Sequence, residues 1–211
     1  MAGKNVQHAF AYDDLREWIA EADKLGEMRY LDGMSWEKDI GMVTEMLHHT
    51  DPAPCALFDK VPGCPDGFRV LTNFFGGKRR GMTIGFPSDM SKLELTDGLA
   101  EITETKKPIP HKIVETGPIM ENVITGDDID MYKYPTPKWH EEDGGRYIGT
   151  GSYNVTKDPD EDWINTGTYR VMIQDKKKVG FYISPGKHGR IHRDKYMARG
   201  EKMPACIVVG G

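Results

Sequence analysis

A proline-containing connection near the middle of the chain constrains its fold most. The run from Lys106 to Pro110 reads KKPIP, and its two prolines stop a preceding helix and stiffen the connection. Before it, helical patterns alternate with short strand patterns, which is typical of an α/β domain. After it, short strand patterns dominate. We therefore predict an α+β chain, with an α/β domain at residues 1–107 and a β-rich domain at residues 108–211.

The first part contains three stretches with apolar residues at helical spacing. Asp14 and Ser35 are candidate caps for the first two helices. A glycine-rich stretch carries Lys78, Arg79 and Arg80 but matches no nucleotide-binding pattern, so we expect these basic residues to lie in a solvated loop or at a helix start. The predicted helices span 14–25, 35–48 and 89–105, and the predicted short strands span 28–31, 55–58 and 68–72.

The second part consists mainly of short β patterns separated by glycine, proline and aspartate turns. A hairpin is predicted around the turn at Asp175 to Lys178. Several strands with one or two helices indicate a small β-barrel. Further strands are predicted at 119–124, 147–155 and 205–209, and a helix at 190–198.

The composition narrows the class of protein. The 211 residues carry a formal net charge of −5, which argues against non-specific nucleic-acid binding. No apolar run approaches the roughly 18 residues that a membrane span requires, and the N-terminus has no secretory pattern. Three cysteines without metal-ligand spacing favour a reduced, cytoplasmic setting, with a Cys55–Cys64 disulfide as the less favoured alternative.

Chemically useful side chains concentrate between Trp163 and His192. Asn165 precedes Tyr169 and Arg170 on one predicted strand, and Lys187 and His188 follow the hairpin. Since a hairpin brings its two ends together, we expect Asn165 and His188 to lie close to each other. An amide oxygen and an imidazole nitrogen form a partial shell for Mn²⁺ or a similar ion. Arg170 and Lys187 supply charge for a phosphate or carboxylate.

One geometric problem follows from the spacing in this stretch. Asn165 and Arg170 are five residues apart, so an ideal strand directs them to opposite faces. We predict a β-bulge between Thr166 and Tyr169, at Gly167, which would reset the alternation.

Each of these residues also has an ordinary structural interpretation. Asn165 fits a strand-end turn, Arg170 fits an exposed strand position, and Lys187 with His188 fits a loop after Pro185-Gly186. His192 is at helical i+4 spacing from His188 and is a reserve ligand, although we expect a solvated helix residue. Arg146 is a candidate phosphate contact, with a turn of exposed charges as the favoured alternative.

The order of these motifs resembles a known family. Asn165-x-Gly167-x-Tyr169-Arg170 followed by Lys187-His188 is similar to the reversible decarboxylases typified by UbiD, which use prenylated FMN. The upstream segment Asp143 to Tyr147 and the closing segment Ala205 to Gly211 are similar as well. The resemblance runs from Asp14 to the last residue.

The resemblance implies a split β-barrel that binds flavin, of which residues 108–211 would be the first part. It implies prenylated FMN with Mn²⁺ or Mg²⁺, with K⁺ as an additional ion. Asn165 and His188 would bind the metal, and Arg170 would be catalytic. The cofactor would be bound by Asn165, Thr168, Tyr169, Arg170, Tyr182, Ile183, Ser184, Lys187 and His188.

The function implied is reversible, non-oxidative decarboxylation of an aromatic or α,β-unsaturated acid by a homo-oligomer whose cofactor comes from a flavin prenyltransferase. Since family members are about twice as long, we expect a truncated chain that is incomplete alone. Two alternatives stay open: an FMN-dependent oxidoreductase on a split barrel, and a non-catalytic assembly subunit.

Overall fold

The fold is described by a computed structural model for residues 8–210. Within that range no helix is long and apolar enough to cross a membrane. The α-helices are α1 (Leu15–Lys24), α2 (Asp39–His48), α3 (Arg79–Thr83), α4 (Lys92–Thr105) and α5 (His188–Ala198). The strands are β1 (Met28–Asp32), β2 (Cys55–Asp59), β3 (Val70–Thr72), β4 (Tyr147–Gly149), β5 (Tyr153–Lys157), β6 (Ile164–Gly167), β7 (Arg170–Ile173), β8 (Val179–Tyr182) and β9 (Ala205–Val208).

The strands form three three-stranded sheets, in the orders β1-β2-β3, β4-β7-β8 and β6-β5-β9. The mixed helix-and-sheet class is as predicted, but in the described residues the sheets do not close into a barrel. The chain divides into two compact units, and the division at residue 107 stays a prediction. Unit 1 comprises 1–29, 47–56 and 71–129, and unit 2 comprises 30–46, 57–70 and 130–211.

Unit 1 contains two helices whose starts are fixed by side chains. The Asp14 carboxylate accepts hydrogen bonds from the backbone N–H groups of Arg16 and Glu17 at the start of α1. Ser91 and Glu94 form a reciprocal capping box at the start of α4. Trp18 of α1 is buried and contributes to the core of this unit.

The glycine-rich stretch contains a helix start, as one of the two alternatives predicted, because α3 begins at Arg79. The other alternative, a solvated loop, was wrong for Arg79. Its side chain is fully buried and forms an ion pair with Glu27, with 2.5 Å between Nη1 and Oε2. Nη2 also donates to the backbone carbonyls of Ala53 and Asn73. A buried guanidinium needs such partners because an unpaired charge is costly to desolvate, so Arg79 is a structural residue.

Two strand predictions in the second part were also wrong. Residues 119–124 form no strand; a 3₁₀ turn at Pro118–Met120 begins the stretch, and Ile119, Val123 and Ile124 are exposed. Strand propensity alone does not produce a strand where no neighbouring strand pairs with it. The predicted strand at 147–155 is two strands, β4 and β5, which belong to different sheets.

In unit 2, the sheets β4-β7-β8 and β6-β5-β9 hold the predicted site stretch. β7 and β8 form the predicted hairpin, with Arg170 opposite Tyr182 and Ile173 opposite Val179. β5 is the centre of the other sheet, antiparallel to both β6 and β9. α5 packs against β5 and β6. Cys55, Cys64 and Cys206 are all free, so the alternative of a Cys55–Cys64 disulfide is wrong.

Candidate functional site

A cavity of about 360 Å³ lies in unit 2 where two segments of the chain meet. One segment runs from Asn165 to Tyr169, and the other from Gly186 to His188. The structure therefore places Asn165, Thr168, Tyr169, Lys187 and His188 around a single cavity. This volume is within the range of small-molecule sites.

The first segment is not the single strand that we predicted. β6 ends at Gly167 and pairs with β5, whereas β7 begins at Arg170 and pairs with β4 and β8. The predicted bulge at Gly167 is absent from the regular β5–β6 register. Instead, Thr168 and Tyr169 lie between two strands, where the chain passes from one sheet to another. Asn165 and Arg170 thus belong to different sheets, so the alternation along a single strand does not relate their side chains.

Helix α5, rather than the hairpin, brings His188 near Asn165. It begins at His188, and contacts along its length attach it to the end of β5 and the following turn. Lys195 Nζ lies 2.7 Å from Asp158 Oδ2, and Arg199 forms an ion pair with Asp160. On the other side, Arg190 Nη1 donates to the carbonyl of Ile183, just after β8. These contacts fix the start of α5 at the cavity.

Asn165 is 6% exposed, and its amide has a defined set of partners. Nδ2 donates to Thr156 Oγ1 at 3.2 Å and to Tyr169 Oη at 3.0 Å. These two bonds use both hydrogens of the amide, so Oδ1 is the atom left for a ligand in the cavity.

Tyr169 is held between two glycines. Its hydroxyl also accepts a hydrogen bond from Gly189 N at 3.2 Å. A Cβ atom at either Gly167 or Gly189 would lie 2.9 Å from this hydroxyl oxygen, closer than carbon and oxygen tolerate. The two glycines therefore leave the space that the tyrosine ring occupies beside the cavity.

The second segment offers a positive charge at the N-terminus of a helix. Lys187 is exposed and occupies the N-cap position of α5, and His188 is the first helical residue. The His188 ring packs edge-on against Trp163, with 5.0 Å between ring centroids. A helix N-terminus and an ammonium group together favour a phosphate.

The remaining predicted site residues do not line this cavity. Arg170 is exposed on β7, opposite Tyr182, with its guanidinium carbon 5.9 Å from the centroid of the Tyr147 ring. Ile183 is buried, and Ser184 is half-buried after β8. The structure groups the residues near Asn165 and His188, and leaves Arg170, Tyr182, Ile183 and Ser184 outside the group.

Arg146 is not the exposed charge in a turn that the sequence favoured, and it lies outside the cavity lining. Its guanidinium stacks over Trp36 at 4.1 Å from the ring centroid. It also donates to the carbonyl oxygens of Thr136 and Tyr134. These contacts tie segments of unit 2 together, so Arg146 is a structural residue rather than an exposed charge in a turn.

His192 is fully buried, so the expectation of a solvated helix residue was wrong. Its Nδ1 lies 3.0 Å from Thr156 Oγ1, and its ring contacts Trp163 at 4.6 Å between centroids. Burial lowers the pKa of His192; Asp158 opposes this effect, and Lys195 and His188 add to it. His192 is therefore favoured in its neutral form.

Asp158 is the anionic neighbour of His192, and its side chain is also fully buried. The hydrogen bond from Lys195 lowers the pKa of Asp158 most, against desolvation, which raises it. Its Oδ1 accepts from the backbone N–H groups of Asp160 and Glu161. Sequence reasoning identified neither Thr156 nor Asp158, and the i+4 spacing of His188 and His192 was the only available signal.

The donor atoms at the cavity fit part of a metal and flavin site. Asn165 Oδ1 and the His188 imidazole are neutral donors of the kind that Mn²⁺ accepts, and Lys187 suits a cofactor phosphate. Within residues 8–210 there is no cluster of three or more His, Cys, Asp or Glu side chains that could hold a metal. A metal bound here would therefore need further ligands, such as phosphate oxygens.

Comparison with known proteins identifies the class to which the fold belongs. Residues 112–211 match the UbiD 3-octaprenyl-4-hydroxybenzoate carboxy-lyase Rift-related domain. The chain is 29% identical to pyrrole-2-carboxylic acid decarboxylase of Pseudomonas aeruginosa over 184 residues, which cover 82% of the chain and 36% of that relative. The chain belongs to the UbiD family, which confirms the resemblance seen in its motifs.

Solved structures agree with this assignment. Vanillic acid decarboxylase of Sedimentibacter hydroxybenzoicus, in its closed form, matches with a TM-score of 0.87 and 27% identity, over 96% of this chain and 44% of that one. An evolved dimeric form of the UbiD-class enzyme HmfF from Pelotomaculum thermopropionicum, in complex with prFMN, has the same fold, with a TM-score of 0.80 and 23% identity over 94% of this chain and 44% of that one. The chain thus spans less than half of the length of these relatives.

Proposed function

We propose that this chain supplies the flavin-phosphate and metal-binding part of a carboxy-lyase. Its reaction would be reversible decarboxylation of an aromatic or α,β-unsaturated acid. The observation that carries the proposal is the single cavity lined by Asn165, Tyr169, Lys187 and His188. Membership of a family whose named relatives are decarboxylases supports the choice of reaction.

The proposed cofactor is prenylated FMN with Mn²⁺ or Mg²⁺, and K⁺ as an additional ion. When bound, the modified flavin would supply the electron sink that decarboxylation requires. Lys187 and the backbone N–H of His188, at the N-terminus of α5, would hold the phosphate, and Asn165 Oδ1 and His188 would bind the metal. Thr168 and Tyr169 would contact the cofactor from the other side of the cavity.

The roles of the predicted residues outside the cavity also stay part of the proposal. Arg170 would orient the substrate carboxylate through its guanidinium, and its exposure on β7 leaves it accessible to a ligand. Tyr182, Ile183 and Ser184 would contact the flavin from the end of β8. A split barrel completed by further strands, a homo-oligomer, a cytoplasmic location and supply of the cofactor by a flavin prenyltransferase complete the proposal.

Co-expression with a flavin prenyltransferase tests the proposal. We expect the purified protein to carry a flavin with the spectrum of the prenylated form, together with Mn²⁺ detected by elemental analysis. His188→Gln should lower the retained Mn²⁺ at least about tenfold, because it replaces a ligand. His111→Gln, at an exposed position far along the sequence, should retain it.

Two results would count against this function. A protein without flavin and metal would favour a non-catalytic subunit. A bound, unmodified FMN that NADPH reduces would favour an oxidoreductase.

A further inference from the structure

Four neighbouring side chains form a continuous series that ends at the cavity. Asp158 Oδ2 lies 3.7 Å from His192 Nε2, His192 Nδ1 lies 3.0 Å from Thr156 Oγ1, and Thr156 Oγ1 lies 3.2 Å from Asn165 Nδ2. Asp158, His192 and Thr156 are each at most 2% exposed. With water excluded, each hydrogen in the series has to be directed at a protein group.

The carboxylate at one end of the series selects the imidazole tautomer. A neutral imidazole carries one N–H group. Nε2 has no hydrogen bond among the described residues, and the Asp158 carboxylate lies 3.7 Å from it. A hydrogen on Nε2 directs the positive end of the N–H dipole at this anion, whereas a bare Nε2 would direct a lone pair at it. The Nε2–H tautomer is therefore favoured, and Nδ1 is an acceptor.

The tautomer of His192 determines the direction of the Thr156 hydroxyl. Since Nδ1 is an acceptor, Thr156 donates its only hydrogen to it. Thr156 Oγ1 then offers only lone pairs to Asn165. The Asn165 amide must therefore turn its NH₂ group inward, with one hydrogen on Thr156 and the other on Tyr169 Oη, as observed.

We propose that Asp158 and His192 are positioning residues that fix the Asn165 amide with its oxygen toward the cavity. The cavity then presents an acceptor to a cation rather than an NH₂ donor. With the opposite tautomer, Thr156 would be free to donate to Asn165 Oδ1, and the amide could turn over. The identity of the cation, Mn²⁺, rests on the proposed function; the orientation of the amide does not.

Nitrogen NMR of the whole chain tests the tautomer and the amide directly. We expect His192 to show a protonated Nε2 and an unprotonated Nδ1 near neutral pH. We also expect both side-chain amide hydrogens of Asn165 to exchange slowly with water, since both are in buried hydrogen bonds. A protonated Nδ1, or an Asn165 NH₂ group that exchanges as fast as an exposed amide, would overturn the proposal.

A pair of variants tests the consequence for metal binding. In the FMN-loaded protein, Thr156→Val removes the hydroxyl and should weaken Mn²⁺ binding about 10–100-fold by titration calorimetry. Thr156→Ser keeps the hydroxyl and should stay within about threefold of the parent. Equal affinities in both variants would contradict the proposal, and circular dichroism identifies a variant that fails to fold. If the parent binds no Mn²⁺, the proposed metal is wrong, and the NMR signals still decide the positioning role.

Discussion

At the scale of single residues, Tyr169 shows why two glycines are required. Neither Gly167 nor Gly189 has a positive φ, so backbone freedom does not explain them. The reason is space: a Cβ at either position would meet the tyrosine hydroxyl at 2.9 Å. This hydroxyl accepts from Asn165 and from Gly189 N, so displacing it would disturb the amide at the cavity.

Gly189→Ala should therefore destabilise the protein. We expect a loss of about 1–3 kcal/mol from overpacking, reduced by up to about 1 kcal/mol because alanine favours a helix. Gly151→Ala is the matched control, because a Cβ there meets nothing within 4 Å and its φ is not positive. Urea denaturation of both variants measures the difference. A Gly189→Ala protein as stable as the control would show that the ring moves without cost.

His192 should make stability depend on pH. Its folded-state pKa is lowered from the unfolded value of about 6.5, so the unfolded chain takes up a proton first as the pH falls. The free energy of unfolding should decrease from about pH 6.5 down to the folded-state pKa, and this loss should then level off. The contribution of Asp158, whose pKa is lowered, should be lost only below about pH 3.9.

Denaturation at a series of pH values checks this expectation. Glutamine does not titrate, so in His192→Gln the decrease in the free energy of unfolding that begins near pH 6.5 should disappear. This expectation holds whatever the absolute stability of the variant. His111→Gln changes an exposed histidine and should show the same pH-dependent decrease in the free energy of unfolding as the parent. An identical slope in His192→Gln and the parent would refute the assignment.

The residues at the cavity could be predicted from the sequence where they belong to a motif. The burial of individual side chains could not. Asn165, Lys187 and His188 follow from the sequence pattern, and the structure places them at one cavity. The burial of His192 could not be predicted, because its neighbours Arg193, Asp194 and Lys195 are typical of a solvated helix. The packing of α5 against β5, β6 and Trp163 buries this ring.

At the scale of elements, helix α5 determines how the residues of the site are arranged. The hairpin β7–β8 forms as predicted, but the approach of His188 to Asn165 depends on how α5 is attached to β5 and β6. Such tertiary attachment is not encoded in the local hydrophobic period, which explains why the sequence indicated the wrong element. The same limit explains the false strand at 119–124, where strand-forming residues lack a pairing partner in the described chain.

Trp163 is a central contact between α5 and the turn before β6. Its ring contacts both His188 and His192 at 5.0 Å and 4.6 Å between centroids. Trp163→Ala should cost about 2 kcal/mol, less than a fully buried tryptophan because the ring is half-buried. Trp163→Phe keeps an aromatic edge and should cost less than half of that. Thermal denaturation measures both, and equal losses would show that the aromatic contact is unimportant.

At the scale of the whole molecule, ligand binding should be visible as stabilisation. A ligand that binds only the folded state adds about 2.7 kcal/mol when its concentration is one hundred times its Kd. FMN should therefore raise the Tm of the chain. Lys187→Gln should reduce this increase, since it removes an ammonium group from the proposed phosphate site, and should leave the ligand-free Tm unchanged because Lys187 is exposed.

Lys202→Gln is the matched control, since Lys202 is also exposed and lies outside the cavity lining. A differential scan with and without FMN compares the three proteins. An equal increase of Tm in all of them would place the phosphate somewhere other than the start of α5.

The two-residue passage Thr168-Tyr169 between β6 and β7 has an evolutionary consequence. Within the six residues from Asn165 to Arg170, strand β6 of one sheet ends and strand β7 of another sheet begins. Adding or deleting one residue here would shift the pairing of one sheet or the other, and would move either the amide or the guanidinium. Length variation among homologous chains should therefore be tolerated in the Asp175–Lys178 turn and selected against in this passage.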